Sequence, residues 1–309
     1  MPGAGEVSAG PAPPPAAVLR FLSTLRVPPG RSTEELLAAQ GRALLAQPWP
    51  PVGAIEKRIE IGGPSGELGA DLVLPASGAG WPVLVYVHGG GWDSGSPGTH
   101  RRVACELAAR GFATVVPRYR LGPDHRHPAQ LDDLDATIEW ARRELRRRGA
   151  EPEKLVLAGD SAGAHLAAAA AIRRRLAGAD DVGAVVLLCG IFDYHAGLPL
   201  VGPAGWDGDP GTQPLLDPEE FEALRGDPVV NPLLGAAHLP PAFVGAGSAD
   251  PFAAQSTALF AALRKAGVAA ELDWGEGLPH IWYLLPGLPE ARPGLDRAAA
   301  WARQRLAER

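Results

Sequence analysis

Apolar and polar positions along this chain follow two alternating rhythms. Apolar runs of strand length occur at 82–87, 112–116, 155–158, 182–188 and 242–246. Such runs mark strands buried on both faces of a sheet. Between and after them, apolar residues recur three and four positions apart, which predicts helices over 101–110, 128–148, 161–176, 253–266 and 290–307. In 128–148 the inner face holds Leu131, Leu134, Ile138, Ala141 and Leu145. Arg142, Arg143, Arg146 and Arg147 lie outside. Residues 55–61 alternate apolar and charged side chains, as a half-exposed edge strand would, and 71–74 is the predicted hairpin partner across the turn at 62–66. A last strand is predicted over 269–273. Strand and helix in repeated succession predict an α/β fold with a parallel, doubly wound sheet.

Two stretches break the rhythm. Residues 1–15 form a Pro/Ala/Gly tail expected to be disordered. Helices are predicted over 16–26, with Val18, Phe21, Leu22 and Leu25 on one face, and over 33–46, capped by Ser32 or Thr33. They precede every strand and read as an appendage. The second stretch, 194–240, is rich in Gly and Pro, with one short acidic helix predicted over 218–224. A connection of that length inside a compact domain signals a lid or binding loop. The expected organisation is a tail (1–15), N-terminal helices (16–50), a main α/β unit (51–193 and 241–309) and an insertion (194–240).

Composition narrows the classes. At 309 residues, 46% hydrophobic and 21% charged, the chain suits an ordinary globular protein. A net charge of −6 gives no electrostatic case for nucleic acid or an anionic membrane. No segment reaches the about 18 to 20 apolar residues of a membrane span, and the first residues lack a signal peptide's basic and apolar regions. A cytoplasmic location is therefore expected. The two cysteines, Cys105 and Cys189, sit in apolar patterns and are expected to be buried free thiols, too few for a disulfide framework or metal cluster.

The candidate chemistry gathers where strands end. Gly159-Asp160-Ser161-Ala162-Gly163 joins the run 155–158 to an alanine-rich helix. A serine at the apex of such a turn takes a strained backbone, and the flanking glycines allow close approach. The helix directs its N-terminal amides at whatever Ser161 attacks. His88-Gly89-Gly90-Gly91-Trp92 directly follows the strand 82–87, where free glycine N–H groups can converge on an anion. Ser161 needs a base, and the histidines C-terminal to it are His165, His195, His238 and His280. His165 lies within the helix and is expected to pack there. His280 follows the strand 269–273, at the edge where active sites of open sheets lie. Asp250 follows the strand 242–246 at the same edge and is the best-placed orienting acid. Asp160 is expected to support the turn. His125-Arg126-His127 lacks the companions of a metal site and is expected in a loop on the surface or near the cap.

In order and spacing the chain resembles the hormone-sensitive-lipase-like esterases of the α/β-hydrolase superfamily. The resemblance rests on His-Gly-Gly-Gly-Trp at 88–92; Tyr119-Arg120-Leu121-Gly122-Pro123 with Pro128-Ala129 and Asp132-Asp133; Gly-Asp-Ser-Ala-Gly at 159–163; and Asp250-Pro251 with Leu278-Pro279-His280. It covers about 55–305. It implies an α/β-hydrolase fold: a mostly parallel sheet, helices on both faces and a helical cap that includes 16–46. It implies Ser161 as nucleophile, Asp250 as acid and His280 as base. The oxyanion hole would come from Ala162 and two of Gly89, Gly90 and Gly91, with Gly90 and Gly91 preferred, and His88 would be structural. The chain departs from the family in lacking a second aspartate three residues after Pro251 and in having Ile281-Trp282 after His280. The implied reaction is hydrolysis of small, short-chain acyl esters with no metal or cofactor. An amidase, lactonase or aryl formamidase on the same triad stays open, as does a non-catalytic binding protein. Candidate pocket walls are Phe21, Leu22, Trp92, Leu198, Leu200, Trp206, Ile281 and Trp282. An exposed final strand and helix would support a homodimer.

Overall fold

The computed structural model describes residues 48–64, 66, 68–201, 208–209 and 211–309. The tail and helices expected before residue 47, with Phe21 and Leu22, and Trp206 lie outside the described residues. The strands are β1 (Ala54–Glu60), β2 (Gly69–Leu74), β3 (Pro82–Val87), β4 (Ala113–Pro117), β5 (Glu151–Asp160), β6 (Ala184–Leu188), β7 (Ala242–Gly247) and β8 (Ala270–Gly275). They form one sheet in the order β1-β2-β4-β3-β5-β6-β7-β8. β2 runs antiparallel to β1 and β4, and every other pairing is parallel. The helices are α1 (Pro97–Ala109), α2 (Ala129–Arg147), α3 (Ala162–Leu176), α4 (Tyr194–Gly197), α5 (Ala253–Lys265) and α6 (Ala291–Ala307).

Strand side chains explain the two layers. Val83, Val85 and Val87 of β3 and Leu155 and Leu157 of β5 join α2, α3 and α5 in one core. The alternate residues Leu84 and Tyr86, Val156 and Ala158 join α1 and α6 in the other. Both faces of each central strand are thus buried, which is why these runs are apolar throughout. From β3 the chain moves to β4 on one side, and from β4 it crosses back to β5 on the other side of β3. In an open α/β sheet such a reversal places the ligand crevice beyond the C-terminal ends of the two strands, here β3 and β5.

Boundaries moved where side chains or partners supplied hydrogen bonds. α1 starts at Pro97, earlier than expected, because Ser96 and Thr99 form a capping box with Pro in the first turn. β5 starts at Glu151, whose N–H donates to Trp81 O at 2.8 Å. Its polar first turn hid a strand that ladder pairing with β3 supports.

The described residues of 194–240 contain α4 and 3₁₀ turns at Leu198–Leu200, Ala223–Gly226 and Ala236–His238. Tyr194, His195, Gln213, Leu215, Leu216, Phe221, Val230 and Asn231 are buried. The helix expected over 218–224 is replaced by turns leading into the 3₁₀ turn. The Phe221 carbonyl accepts His195 Nε2 at 2.6 Å, while Arg225 N–H bonds Glu222 O instead. The His125-Arg126-His127 segment holds this region down: Arg126 donates to the carbonyls of Gln213 (3.0 Å) and Leu216, and His127 N–H donates to Leu215 O (2.6 Å).

Asp133 of α2 anchors the 119–123 loop. Its fully buried carboxylate accepts the Arg120 backbone N–H (2.8 Å) and the Arg120 guanidinium (2.9 Å from both Nε and Nη2). Asp133→Ala strands the half-buried guanidinium and removes the loop's anchor. It should lower unfolding free energy by about 3 kcal/mol, as loss of one partner from a buried pair does. Urea denaturation followed by tryptophan fluorescence measures the loss.

Candidate active site

Ser161 stands between β5 and α3 with φ 54 and ψ −124, a conformation that costs a non-glycine residue energy. Its surroundings hold it there. The Ser161 N–H donates to Leu188 O of β6 at 2.9 Å. A Cβ on Gly163 would lie 2.1 Å from Val87 O, and one on Gly159 2.7 Å from the same oxygen. Both glycines are therefore required by the close approach of β3, as the turn's spacing predicts.

The predicted partners meet at this turn. His280 Nε2 lies 2.9 Å from Ser161 Oγ, and His280 Nδ1 lies 3.0 Å from Asp250 Oδ1. Asp250 Oδ1 also accepts the Phe252 N–H at 2.8 Å. His280 and Asp250 are buried and Ser161 is partly accessible, so the line runs from the interior to the crevice. The three residues come from the ends of β5, β7 and β8. The histidines passed over in the sequence are occupied elsewhere. His165 accepts Trp92 Nε1–H at Nδ1 (3.1 Å) and donates from Nε2 to Val230 O (2.9 Å). His195 bonds Phe221 O, and His238 lies in a 3₁₀ turn. Asp273 is tied to the Tyr283 hydroxyl (2.6 Å) and to Arg297 (2.8 Å).

The glycine loop lies against Asp160, the residue before Ser161: a Cβ on Gly89 would fall 2.8 Å from Asp160 O. Gly89 N–H donates to Asp160 Oδ1 at 3.2 Å and is committed there. The N–H groups of Gly90 and Gly91 have no acceptor among the described residues, and Ala162 N–H is at the first position of α3, where no intrahelical partner exists. Asp160 is the buried centre of this arrangement. Oδ1 accepts the Tyr86 hydroxyl at 2.8 Å and lies 3.3 Å from His100 Nε2. Burial works to raise the Asp160 carboxyl, but the charge and hydrogen bond of His100 and the Tyr86 hydroxyl hold it below its ordinary value. His88 stacks on Tyr119, with ring centres 4.3 Å apart, and its carbonyl accepts the Tyr119 hydroxyl at 2.8 Å.

The expected pocket walls separate into groups. Trp92 is fully buried, with φ 66, its ring edge-on to His165 and Tyr194. Its indole N–H needs the His165 acceptor, so it belongs to the core. Trp282 is also fully buried, stacked on Tyr283 at 3.7 Å in the α6-side core, with Ile281 in the same core. Leu198 packs into the opposite core and Leu200 is exposed. The side chains found at the site are ones the sequence did not single out. The Phe252 ring lies 5.1 Å from the His280 ring, and Val201 stands 3.6 Å from the position of a Cβ on Gly91. Gln255 Oε1 accepts the N–H groups of Phe192 (2.7 Å) and Asp193 (2.9 Å), bracing the loop after β6. No period or motif marked these three residues, because their role comes from chain crossings.

Cys189, Asp250 and His280 place one potential metal-ligand atom each within 4.8 Å of one another. The Asp250 and His280 atoms already bond one another, and burial holds the Cys189 thiol protonated. An ion there would have to displace the Ser161–His280–Asp250 hydrogen bonds.

Comparison with known proteins places this arrangement. A family model described as alpha/beta hydrolase fold matches residues 84–284. Carboxylic ester hydrolase LipN of Mycobacterium tuberculosis is 32% identical over 250 residues, 76% of this chain. The match spans 66% of LipN, just under two thirds of its length. An acetyl-hydrolase of Streptomyces hygroscopicus is 33% identical over 79% of this chain and 82% of its own. The solved structure of a hyperthermophilic esterase from the archaeon Pyrobaculum calidifontis superposes with a TM-score of 0.75 at 27% identity, covering 93% of this chain and 96% of that one.

The buried histidines around the site give stability a pH dependence. Burial, and then the neighbouring His100, push His88 down to about 3, and burial pushes His165 down to about 4. Unfolded, both titrate near about 6.5. Between those values the unfolded chain binds protons that the folded chain does not. Stability is therefore full above about pH 6.5 and falls as pH drops, by about 1.4 kcal/mol per unit for each histidine. Urea midpoints measured from about pH 7 down to about pH 4.5 should fall stepwise. A flat profile contradicts the neutral, buried state of these rings.

Proposed function

The chain belongs to the alpha/beta hydrolase fold family, on its hormone-sensitive-lipase-like branch, and on that premise we propose that it is a serine carboxylesterase acting on short-chain acyl esters. One observation carries the reading: the continuous hydrogen-bonded line Ser161 Oγ–His280–Asp250, open to the crevice at Ser161. His280 takes the Ser161 proton as Oγ attacks the ester carbonyl. Asp250 holds the imidazole with Nδ1–H toward itself and stabilises the imidazolium. The tetrahedral oxyanion is received by Gly90 and Gly91 N–H together with Ala162 N–H at the start of α3. Each such donor is worth about 3 kcal/mol of barrier. His280 then protonates the leaving alcohol, and water repeats the sequence on the acyl-enzyme. The free state of these N–H groups and the engagement of Gly89 with Asp160 support this choice of donors.

Short acyl chains are the preferred substrates. Phe252 and Val201 stand close beside the site, and a cap from the 194–240 insertion, whose described residues are largely packed, would restrict acyl length. Two free buried thiols agree with a reducing, cytoplasmic setting. A homodimer would form along the open edge of β8, where Trp274 is exposed. No described helix is long and apolar enough to cross a membrane.

A p-nitrophenyl ester series of rising acyl length tests the reading. Rates should peak at acetyl to butyryl and fall beyond. Ser161→Ala should lower kcat by about 10⁴-fold or more while leaving the fold intact. A fluorophosphonate probe should label the parent at Ser161. A folded, unlabelled protein, or faster turnover of a matched amide, would remove the esterase assignment.

A further inference from the structure

Cys189 takes no part in the proposed mechanism, yet it lies against its deepest member. It directly follows β6 in a left-handed conformation, φ 53, with its side chain fully buried. Its N–H donates to Gly245 O of β7 at 2.7 Å, and β7 leads into the Asp250 loop. Cys189 Sγ, an Asp250 carboxylate oxygen and a His280 ring nitrogen all lie within 4.8 Å of one another.

The carboxylate is unevenly served. Oδ1 receives two donors, His280 Nδ1–H and Phe252 N–H. Oδ2 is buried and has no hydrogen-bond partner among the described residues, the Cys189 thiol included, at the separations of this structure. A buried carboxylate oxygen left without a donor is costly and free to rotate out of line. The α5 residues following the acid loop, Ala253 and Ala254, carry no side-chain donor. The thiol of Cys189 is the donor at hand.

We propose that Cys189 is a positioning residue for the acid: its neutral thiol turns its S–H to the unpaired Asp250 Oδ2 and so holds the carboxylate with Oδ1 facing His280 Nδ1. Burial, followed by the Asp250 charge, pushes this thiol well above its ordinary value, so it keeps its proton at working pH. A thiol is a weak donor and supplies orientation more than binding energy. The other titratable groups acting on Cys189 are engaged elsewhere. Tyr86 and Asp160 bond each other, and Tyr283 bonds Asp273. The kinetic consequence rests on the esterase reading; the hydrogen bond does not.

Two measurements test it, both on a Cys105→Ala background, which leaves Cys189 as the one thiol of the chain. The infrared S–H stretching band should lie below that of an unbonded thiol and should rise in Asp250→Ala. A band that Asp250→Ala leaves in place overturns the proposal. In kinetics, Cys189→Ala should lower kcat by about five- to tenfold, in the range of one hydrogen bond to a charged group, with KM nearly constant. Loss of the donor leaves Asp250 more basic, so imidazolium is favoured and the acid limb of kcat/KM moves to higher pH. Cys189→Ser, which restores a donor of similar size, should recover both kcat and the limb. Alanine and serine variants with the same kcat and the same limb overturn the proposal. A parent that is folded but inactive on esters would end the esterase reading, while the infrared band still decides the hydrogen bond.

Discussion

Asp160 is a carboxylate enclosed between β3, β5 and α1, and it joins the serine turn to the glycine loop. Tyr86 reaches it from β3, His100 from α1, and Gly89 N–H from the loop itself. A buried carboxylate needs such donors, since each unpaired oxygen inside a low-dielectric interior is expensive. Meeting that need brings the loop at 89–91 against the serine turn, and it uses up the Gly89 donor. The N–H groups of Gly90 and Gly91 are left without an acceptor among the described residues. Removing Asp160 from this picture would leave three elements with unmatched polar groups and no reason to converge.

The strain at Ser161 follows from the same convergence. A positive φ at a serine persists only where neighbours over-determine it. Here the neighbours are Leu188 O below, the carbonyls of Val87 and His88 beside Gly163, and the start of α3 above. The turn is therefore held by backbone contacts of three adjacent parallel strands. His280 and Asp250 arrive after β8 and β7 further along the sheet, so the site spans five strand ends of one edge. Cys189 and Gln255 stiffen the end of β6 between them, one through the backbone of β7 and the other through the loop that follows.

Much of this was open to inspection in the residues alone. Each central strand is apolar on both faces because helices cover both, so 82–87 and 242–246 announced themselves. Gly-x-Ser-x-Gly and the three loop glycines are local signatures, since their chemistry depends on backbone torsion and close approach within a few residues. Asp250 and His280 were legible because a parallel sheet puts all strand C-termini at one edge, so sequence position after a strand is already a position in space.

Tertiary structure alone decided where side chains point and which polar groups are spent. Trp92 and Trp282 looked like pocket walls by their place beside the motifs. One turned inward to give its N–H to His165, the other into the core under α6. The segment 194–240 lacked any period, so its fold comes from buried contacts such as Tyr194–Gln213 and His195–Phe221. Resemblance alone prefers Gly90 and Gly91 over Gly89; the physical ground is that Asp160 claims the Gly89 N–H. A periodic pattern encodes burial along one element, but the partner of a polar atom lies on another element, and only the folded chain brings the two within hydrogen-bond distance.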